Sequence, residues 1–132
     1  MKKLIVLLLV SLMATSAFAV VDPDPDMMGI YFDMTADNNC IDVGANQAFF
    51  AYVIMTNPTV PGVEAFEFGY ENVVPAGFET LLFQLATNLP AGAIDVGEGT
   101  PIAGNIIAGL ATPVPAAPAT ILVTWQYLPL GV

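Results

Sequence analysis

The sequence predicts an all-β protein, an antiparallel β-sandwich of about seven strands. Short apolar runs are separated by Gly, Pro, Asn and Asp about every ten residues, which is the spacing expected of a sandwich. Two of the runs alternate apolar and polar residues, the pattern of a strand with one buried face. With 132 residues, 56% of them hydrophobic, the chain has the size of one domain with a single core.

Residues 1–19 form the pattern of a secretory signal peptide. Lys2 and Lys3 precede an apolar run, and Ala17-Phe18-Ala19 offers the small side chains that a signal peptidase accepts. We predict cleavage there, export to the periplasm or the extracellular space, and no membrane span afterwards, because no later apolar run approaches ~20 residues. An uncleaved leader is the alternative and would anchor the chain. An acidic Asp-Pro segment follows at 20–27, and the sandwich domain at 28–132.

Seven segments are predicted to be strands, and two of them show the buried-face pattern most clearly. In Val63–Tyr70 the aromatic residues alternate with glutamates and a glycine, which places the rings on one face and the carboxylates on the other. Apolar and polar residues alternate in the same way along Thr120–Leu128. The predicted strands are Gly29–Phe32, Ala48–Met55, Val63–Tyr70, Phe78–Leu85, Ile94–Val96, Asn105–Ala111 and Thr120–Leu128.

Two segments allow a second interpretation. The leucines between Phe78 and Leu89 also fit a helical stripe bounded by Gly77 and Pro90, so a short helix is the alternative to a strand there. The Pro-rich segment Thr112–Ala119 has the composition of a linker, but the strand that follows it favours an extended connection or an edge strand.

Charge and composition exclude most kinds of chemistry. The sequence has 12 Asp and Glu, no His, and 2 basic side chains that both lie within the predicted signal peptide, as do its serines. The mature chain therefore cannot build a Ser-His-acid triad, a Cys-His pair, a lysine Schiff base or a Cys/His zinc site. Its carboxylates would repel nucleic acid. A glycosidase with two carboxylates is the enzyme class that remains, but such a site also needs positioned partner groups, so we expect no enzymatic activity.

Five segments of the chain share a pattern with known proteins. They are Gly29–Asp33, Asn39-Cys40, Ala51–Pro58, Val63–Glu67 and Ala111–Val114. Together they resemble a family of uncharacterised secreted bacterial proteins, and the resemblance covers most of residues 27–128. It implies a cohesin-like or immunoglobulin-like β-sandwich and implies no particular activity. Such proteins often carry a second Cys where this chain has Phe68 and often continue past the strand near Leu128, which implies a domain that is incomplete at its C-terminal end.

Cys40 is the single cysteine, so a disulfide within the chain is ruled out. In an exported protein it can be a buried apolar residue, a bridge to another chain or a reactive thiol. We expect burial, because free Cys is commonly buried and no His or Lys is present to promote thiolate formation. A bridge between chains is the main alternative.

Acidic and amide side chains cluster within ten residues of a predicted loop. Asp33, Asp37, Asn39 and Asp42 supply oxygen donors of the kind that calcium prefers, and they define a candidate metal site. The spacing is not that of an EF-hand, because Ile41 occupies a ligand position and no Gly or closing Glu follows in place. The alternative, which we favour, is a solvated turn stabilised by Asp and Asn side chains.

Trp125 and Tyr127 are candidate carbohydrate-binding residues, because flat aromatic rings stack on sugars and nearby carboxylates accept hydrogen bonds from sugar hydroxyls. Their alternation with polar residues, among Val and Ile neighbours, is also typical of the inward face of a sandwich. We expect core packing, whereas an exposed pair of rings would favour sugar binding.

These observations lead to a functional hypothesis. The protein is predicted to be an exported, non-enzymatic β-sandwich that acts as an extracellular structural or protein-interaction module, with a carbohydrate-binding module as the alternative. The last predicted strand runs nearly to the C-terminus, so we expect it to leave a sheet edge open for another chain or for self-association. Self-association should increase with ionic strength as repulsion between carboxylates is screened.

Overall fold

A computed structural model describes residues 22–77 and 81–131, and these residues form seven β-strands. The strands are β1 (Met27–Tyr31), β2 (Phe49–Thr56), β3 (Gly62–Glu71), β4 (Leu82–Asn88), β5 (Ala93–Asp95), β6 (Ala103–Pro115) and β7 (Ala119–Pro129). They make a four-stranded sheet in the order β1-β2-β7-β4 and a three-stranded sheet in the order β3-β6-β5, with antiparallel pairing throughout. The predicted all-β fold of about seven strands is confirmed. The predicted signal peptide, residues 1–19, lies outside the described residues.

The segment for which a helix was the alternative is a strand where the structure describes it. β4 pairs with β7 from Leu82 opposite Pro129 to Asn88 opposite Thr124, so cross-strand hydrogen bonds override the helical spacing of the leucines. A β-bulge between Gln84 and Ala86 leaves Leu85 without a ladder partner and exposed. The start of the predicted strand, at residues 78–80, lies outside the described residues.

The Pro-rich segment is extended, as expected. β6 continues through it to Pro115, where Pro115 and Val114 pair with Gly62 and Val63 of β3. β5 pairs with β6 only as far as Leu110. Beyond that residue β6 has one neighbouring strand, which is the setting in which a proline without an N–H costs no ladder bond.

β7 is a central strand, and the prediction that it leaves an open edge is wrong. It pairs with β2 on one side and with β4 on the other. The physical reason is its burial, because none of its 11 residues is exposed, and a strand that is covered on both faces is also best paired along both edges. The outermost strands are instead β1 and β4 in one sheet and β3 and β5 in the other.

A β-bulge in β7 corrects the predicted alternation. Val123 pairs with Val53 but Ile121 pairs with Ile54, so Leu122 is an extra residue. Leu122 and Val123 are consequently both fully buried in the main core, with Trp125 and Tyr127. Ile121 packs instead against a second cluster built around Ile54 on the opposite face of the sheet. The bulge thus lets one strand supply apolar side chains to two clusters.

Candidate functional site

The two sheets differ by one strand, and the difference leaves β1 partly uncovered. Met28 and Ile30 of β1 stand opposite Met55 and Val53 of β2, on the face that points toward the core. Ile30 nevertheless remains 43% exposed. The three-stranded sheet ends at β3, so it has no strand to lie over the inward face of β1.

A hollow side of the molecule, which we call the edge groove, runs between β1 and β3. One part of it, of about 350 Å³, lies beside the end of β3 and is lined by apolar groups of Met28, Ile30, Val53 and Phe68. A second part, of about 520 Å³, lies beside the start of β3. Its apolar lining comes from Met55, Val60, Pro61 and Val63. Hollows therefore lie beside both ends of β3, and the edge groove is the name for the two together.

The backbone of β3 forms one wall of the edge groove. β3 is ten residues long and pairs with β6 on one side, while no described strand pairs with its groove side. Such an edge presents a row of backbone donors and acceptors that can bind another strand. Natural proteins blunt long edges with charged side chains, Pro or bulges; Gly62–Glu71 contains no Lys or Pro, but it carries three glutamates and a register shift between Val63 and Ala65.

Carboxylates line the edge groove without basic partners. Glu71 lies in its first part and Glu64 in its second, and Glu67 is exposed on the outer face of β3. Asp26 also lies in the second part, where the backbone N–H and hydroxyl of Thr59 donate hydrogen bonds to it at 2.7 and 2.6 Å. These two bonds, the hydroxyl one first, lower the pKa of Asp26. The described residues contain no Lys, Arg or His, so every charged side chain along the groove is negative.

A second opening, which we call the inter-sheet cleft, lies on the other side of the sandwich. It has a volume of about 400 Å³ and is bordered by β4, β5, part of β6 and the loop 96–101. Its polar lining includes Gln84, Thr87, Asp95, Thr100 and Asn105. Trp125 lies at its base, and the indole Nε1 of Trp125 is the one buried side-chain donor in residues 22–77 and 81–131 that has no hydrogen-bond partner.

Most polar groups of the inter-sheet cleft bind the loop that borders it. The Asp95 carboxylate accepts hydrogen bonds from the backbone N–H groups of Gly97 at 2.8 Å and Ile107 at 3.1 Å. The Asn105 side-chain oxygen accepts from Glu98 N–H at 2.8 Å. Tyr70 donates its hydroxyl to the carbonyl of Thr100 at 2.9 Å, and burial, followed by the charge of Asp95, raises the pKa of Tyr70. These groups are therefore largely occupied within the domain.

The two aromatic candidates for sugar binding are core residues. Trp125 is 1% exposed and Tyr127 is 3% exposed. The Trp125 ring packs against Tyr70 and Phe68, with centroid separations of 4.9 and 6.1 Å. Both rings therefore pack in the core, as expected, because the bulge and the central position of β7 turn them inward.

The acidic loop does not assemble the proposed calcium ligands. Asp33 uses its carboxylate within its own turn, where it accepts hydrogen bonds from the backbone N–H groups of Thr35 and Asp37 at 3.1 and 3.0 Å and from the Asn38 amide. Burial raises the pKa of Asp33, but these bonds outweigh it and the net pKa is lowered. No three His, Cys, Asp or Glu side chains in the described part of the chain are grouped to hold a metal.

The bonds of Asp33 agree with the turn stabilised by Asp and Asn side chains that we favoured, and calcium binding by Asp33, Asp37, Asn39 and Asp42 stays a prediction. Cys40, in the same loop, is exposed, so its expected burial is wrong. The loop follows an edge strand, and residues 38–42 within it are all exposed, so the thiol is in contact with solvent.

Comparisons with known proteins identify no family or function for this chain. No protein family model, no curated protein and no solved structure matches this chain. Among residues 22–77 and 81–131, no helix has the length and hydropathy needed to cross a membrane.

We did not predict the edge groove from the sequence. Its apolar wall joins Met28 and Ile30 to Phe68, which lies almost forty residues later, and only the strand order brings these residues together. A local signal was present, because the carboxylates of Val63–Tyr70 were predicted to share one face. It could not show which strand, if any, lay beside them.

Proposed function

We propose that this protein is an exported, non-enzymatic β-sandwich that binds another protein by accepting an extended segment at the free edge of β3. One observation carries the proposal, namely that a long unpaired strand edge and an apolar groove lie side by side. An added strand would hydrogen-bond to β3 and would place alternate side chains in the groove, over Met28 and Ile30. The three-stranded sheet would then match the four-stranded one. Export rests on the signal-peptide pattern of residues 1–19.

Within the sandwich class, we propose a cohesin-like type rather than an immunoglobulin constant-domain type. In the constant-domain order the second strand pairs with the fifth, and the sixth pairs with the seventh. Here β2 pairs with β7, and β6 pairs with β5. The difference in strand order argues against the constant-domain type and leaves the cohesin-like type of the two that the family resemblance implies.

Backbone amide NMR of the mature chain tests the proposed function. The ligand is a blocked peptide of alternating Val and Thr, about nine residues long, enough to span β3. We expect saturable shifts in the amides of β3 and β1, with those of β5 unchanged. Ile30→Asp should abolish the shifts, because it places a charge on the apolar wall of the groove.

The matched control is Ile94→Asp, which changes a 70% exposed Ile on β5, away from the groove. It should bind as the parent does. Circular dichroism shows whether each variant is folded. Equal binding by a folded Ile30→Asp variant would show that the peptide does not bind in the edge groove.

A second candidate function, carbohydrate binding in the inter-sheet cleft, is favoured by the buried, unpartnered Nε1 of Trp125 beneath a polar lining. A glycan array tests it, with Thr87→Val and Gln84→Leu as variants that reduce the polarity of the lining. Trp125→Ala is a poor test, because this side chain belongs to the core. Glycan binding that is unchanged in both lining variants would contradict a site in the cleft.

A further inference from the structure

We infer that the segment accepted by β3 alternates apolar residues with Lys or Arg, and that it comes from a different protein. This inference rests on the proposed function and adds the chemistry of the partner. It follows from which faces of β3 are apolar, which are acidic, and which residues this chain lacks.

The alternation follows from the pleat of a strand. Phe66, Phe68 and Tyr70 of β3 face the core, so Glu67, Gly69 and Glu71 face outward. A strand paired with β3 has the same two faces. Its inward side chains would fill the apolar groove beside Phe68, and its outward side chains would stand next to the glutamates, at roughly 4.5–5.5 Å between Cβ atoms.

The outer face also has room for a long basic side chain. Gly69 separates Glu67 from Glu71 and is exposed. The nearest heavy atom to a Cβ added at Gly69 would be the backbone oxygen of Gly104, at 3.8 Å, so the surface there is open. A Lys or Arg side chain from the partner can lie across this gap between two carboxylates, covering it with its methylene groups.

The residues along the groove have the same sign of charge. Glu71 borders its first part, Glu64 and Asp26 line its second, and no described residue carries a compensating positive charge. An incoming carboxylate would therefore be repelled along the whole edge, whereas a basic residue would find an acceptor near either end.

A second copy of this chain is a poor occupant for the same reason. Residues 20–132 contain all 12 carboxylates and no Lys, Arg or His. A strand donated by another copy would bring further negative charge to the groove and no positive charge. The complementary partner is a basic segment, and residues 20–132 contain none.

The experiment compares three blocked peptides of equal length in which Val alternates with Lys, Thr or Glu. Each labelled peptide is titrated with the mature chain at low ionic strength and followed by fluorescence anisotropy. We expect the Lys peptide to bind roughly tenfold more tightly than the Thr peptide, from a few exposed charge pairs, and the Glu peptide not to bind. The preference should shrink toward unity in molar salt.

Variants locate the effect. The double variant Glu67→Gln, Glu71→Gln should reduce the preference for Lys over Thr to within about twofold, since the outer charge pairs are lost. The control pair Asp42→Asn, Glu98→Gln removes the same charge from exposed positions away from the groove, and should keep the preference.

The outcomes separate the inference from the function on which it rests. Equal binding of the Lys and Thr peptides, both blocked by Ile30→Asp, would overturn the basic partner and leave the strand-accepting edge. Absence of binding by all three peptides would overturn both. A Lys preference that the control pair reduces as much as the groove pair would overturn the inference, because it would reflect overall charge. If the chain instead forms salt-dependent dimers that Ile30→Asp disrupts, the occupant of the groove is a second copy of the chain and the inference of a different protein is overturned.

Discussion

The two open sides of this sandwich are built in opposite ways. On one side β3 offers ten residues of strand edge above an apolar groove, whereas on the other β5 has three residues above a polar cleft. The loop after β5 uses its own backbone donors, since Val96, Gly97, Glu98 and Thr100 all donate hydrogen bonds within the domain. The comparison teaches that an edge is available for binding when it is long, when its donors are free and when the surface below it is apolar.

Close glycine packing adds to the difference. A Cβ added at Gly99 would lie 2.7 Å from the Tyr70 hydroxyl oxygen, and one at Gly97 would lie 2.9 Å from Ile106 Cα. The loop after β5 therefore packs against β6 in a way that admits no side chain at these positions. Gly69, on the β3 side, meets nothing closer than 3.8 Å. The loop after β5 is tightly packed against β6, whereas the surface of β3 around Gly69 is open.

The largest expected effect is on stability, and it differs between a side chain at the base of the inter-sheet cleft and one on the wall of the edge groove. Trp125→Ala should lower the free energy of unfolding by roughly 3–5 kcal/mol, because it removes a fully buried aromatic residue. Ile30→Thr should change it by less than about 0.5 kcal/mol, because the groove leaves this side chain partly in water. Urea unfolding measures both variants, and a cost of several kcal/mol for Ile30→Thr would show that the groove is closed in the free protein.

A smaller effect is expected at the glycines. Gly97→Ala should destabilise the fold by roughly 1–3 kcal/mol through overpacking against the backbone of β6. Gly69→Ala, the matched change on β3, should stay within about 0.5 kcal/mol. Thermal unfolding of the two variants makes the comparison, and equal melting temperatures would contradict the description of the β5 side as tightly packed.

The sequence predicted the elements of this fold better than their arrangement. Seven strands were predicted and seven are found in residues 22–77 and 81–131, because alternation and turn residues are local signals. The extra residue Leu122 was missed, since a bulge depends on the pairing between β7 and β2. The central place of β7 was also missed, because sheet order depends on contacts between distant segments. The edge groove is a consequence of that order, and for this reason the local pattern of glutamates on β3 could not identify it.

Alkaline pH should weaken the fold through buried tyrosines. Burial, the largest cause, raises the pKa of Tyr127 above its ordinary value of 10.0, and burial likewise raises that of Tyr70, which lines both openings. The stability that the neutral phenols contribute is complete below 10.0 and is lost as pH rises through the raised values. Urea unfolding across this range should show the loss. Tyr127→Phe should make the dependence shallower, and an unchanged pH dependence in that variant would contradict the assignment.

The smallest effect concerns Cys40, which lies in an exposed loop away from both openings. Its thiol should react with a thiol reagent in the native chain as fast as in the chain unfolded by urea. Modification should leave the binding of the Lys and Val peptide unchanged, because the residue is absent from the lining of the edge groove. A slow reaction that requires unfolding would show that Cys40 is buried, as the sequence led us to expect, and would contradict its exposure in the structure.

Residue-resolved hydrogen exchange along β3 tests the central claim most directly. In the free chain, amides that bond to β6 should be protected, while alternate amides that face the groove should exchange quickly. A saturating amount of the Lys and Val peptide should protect the second set and make protection continuous from Val63 to Tyr70. Continuous protection in the free chain, or an alternating pattern that the bound peptide leaves unchanged, would contradict a free edge that accepts a strand.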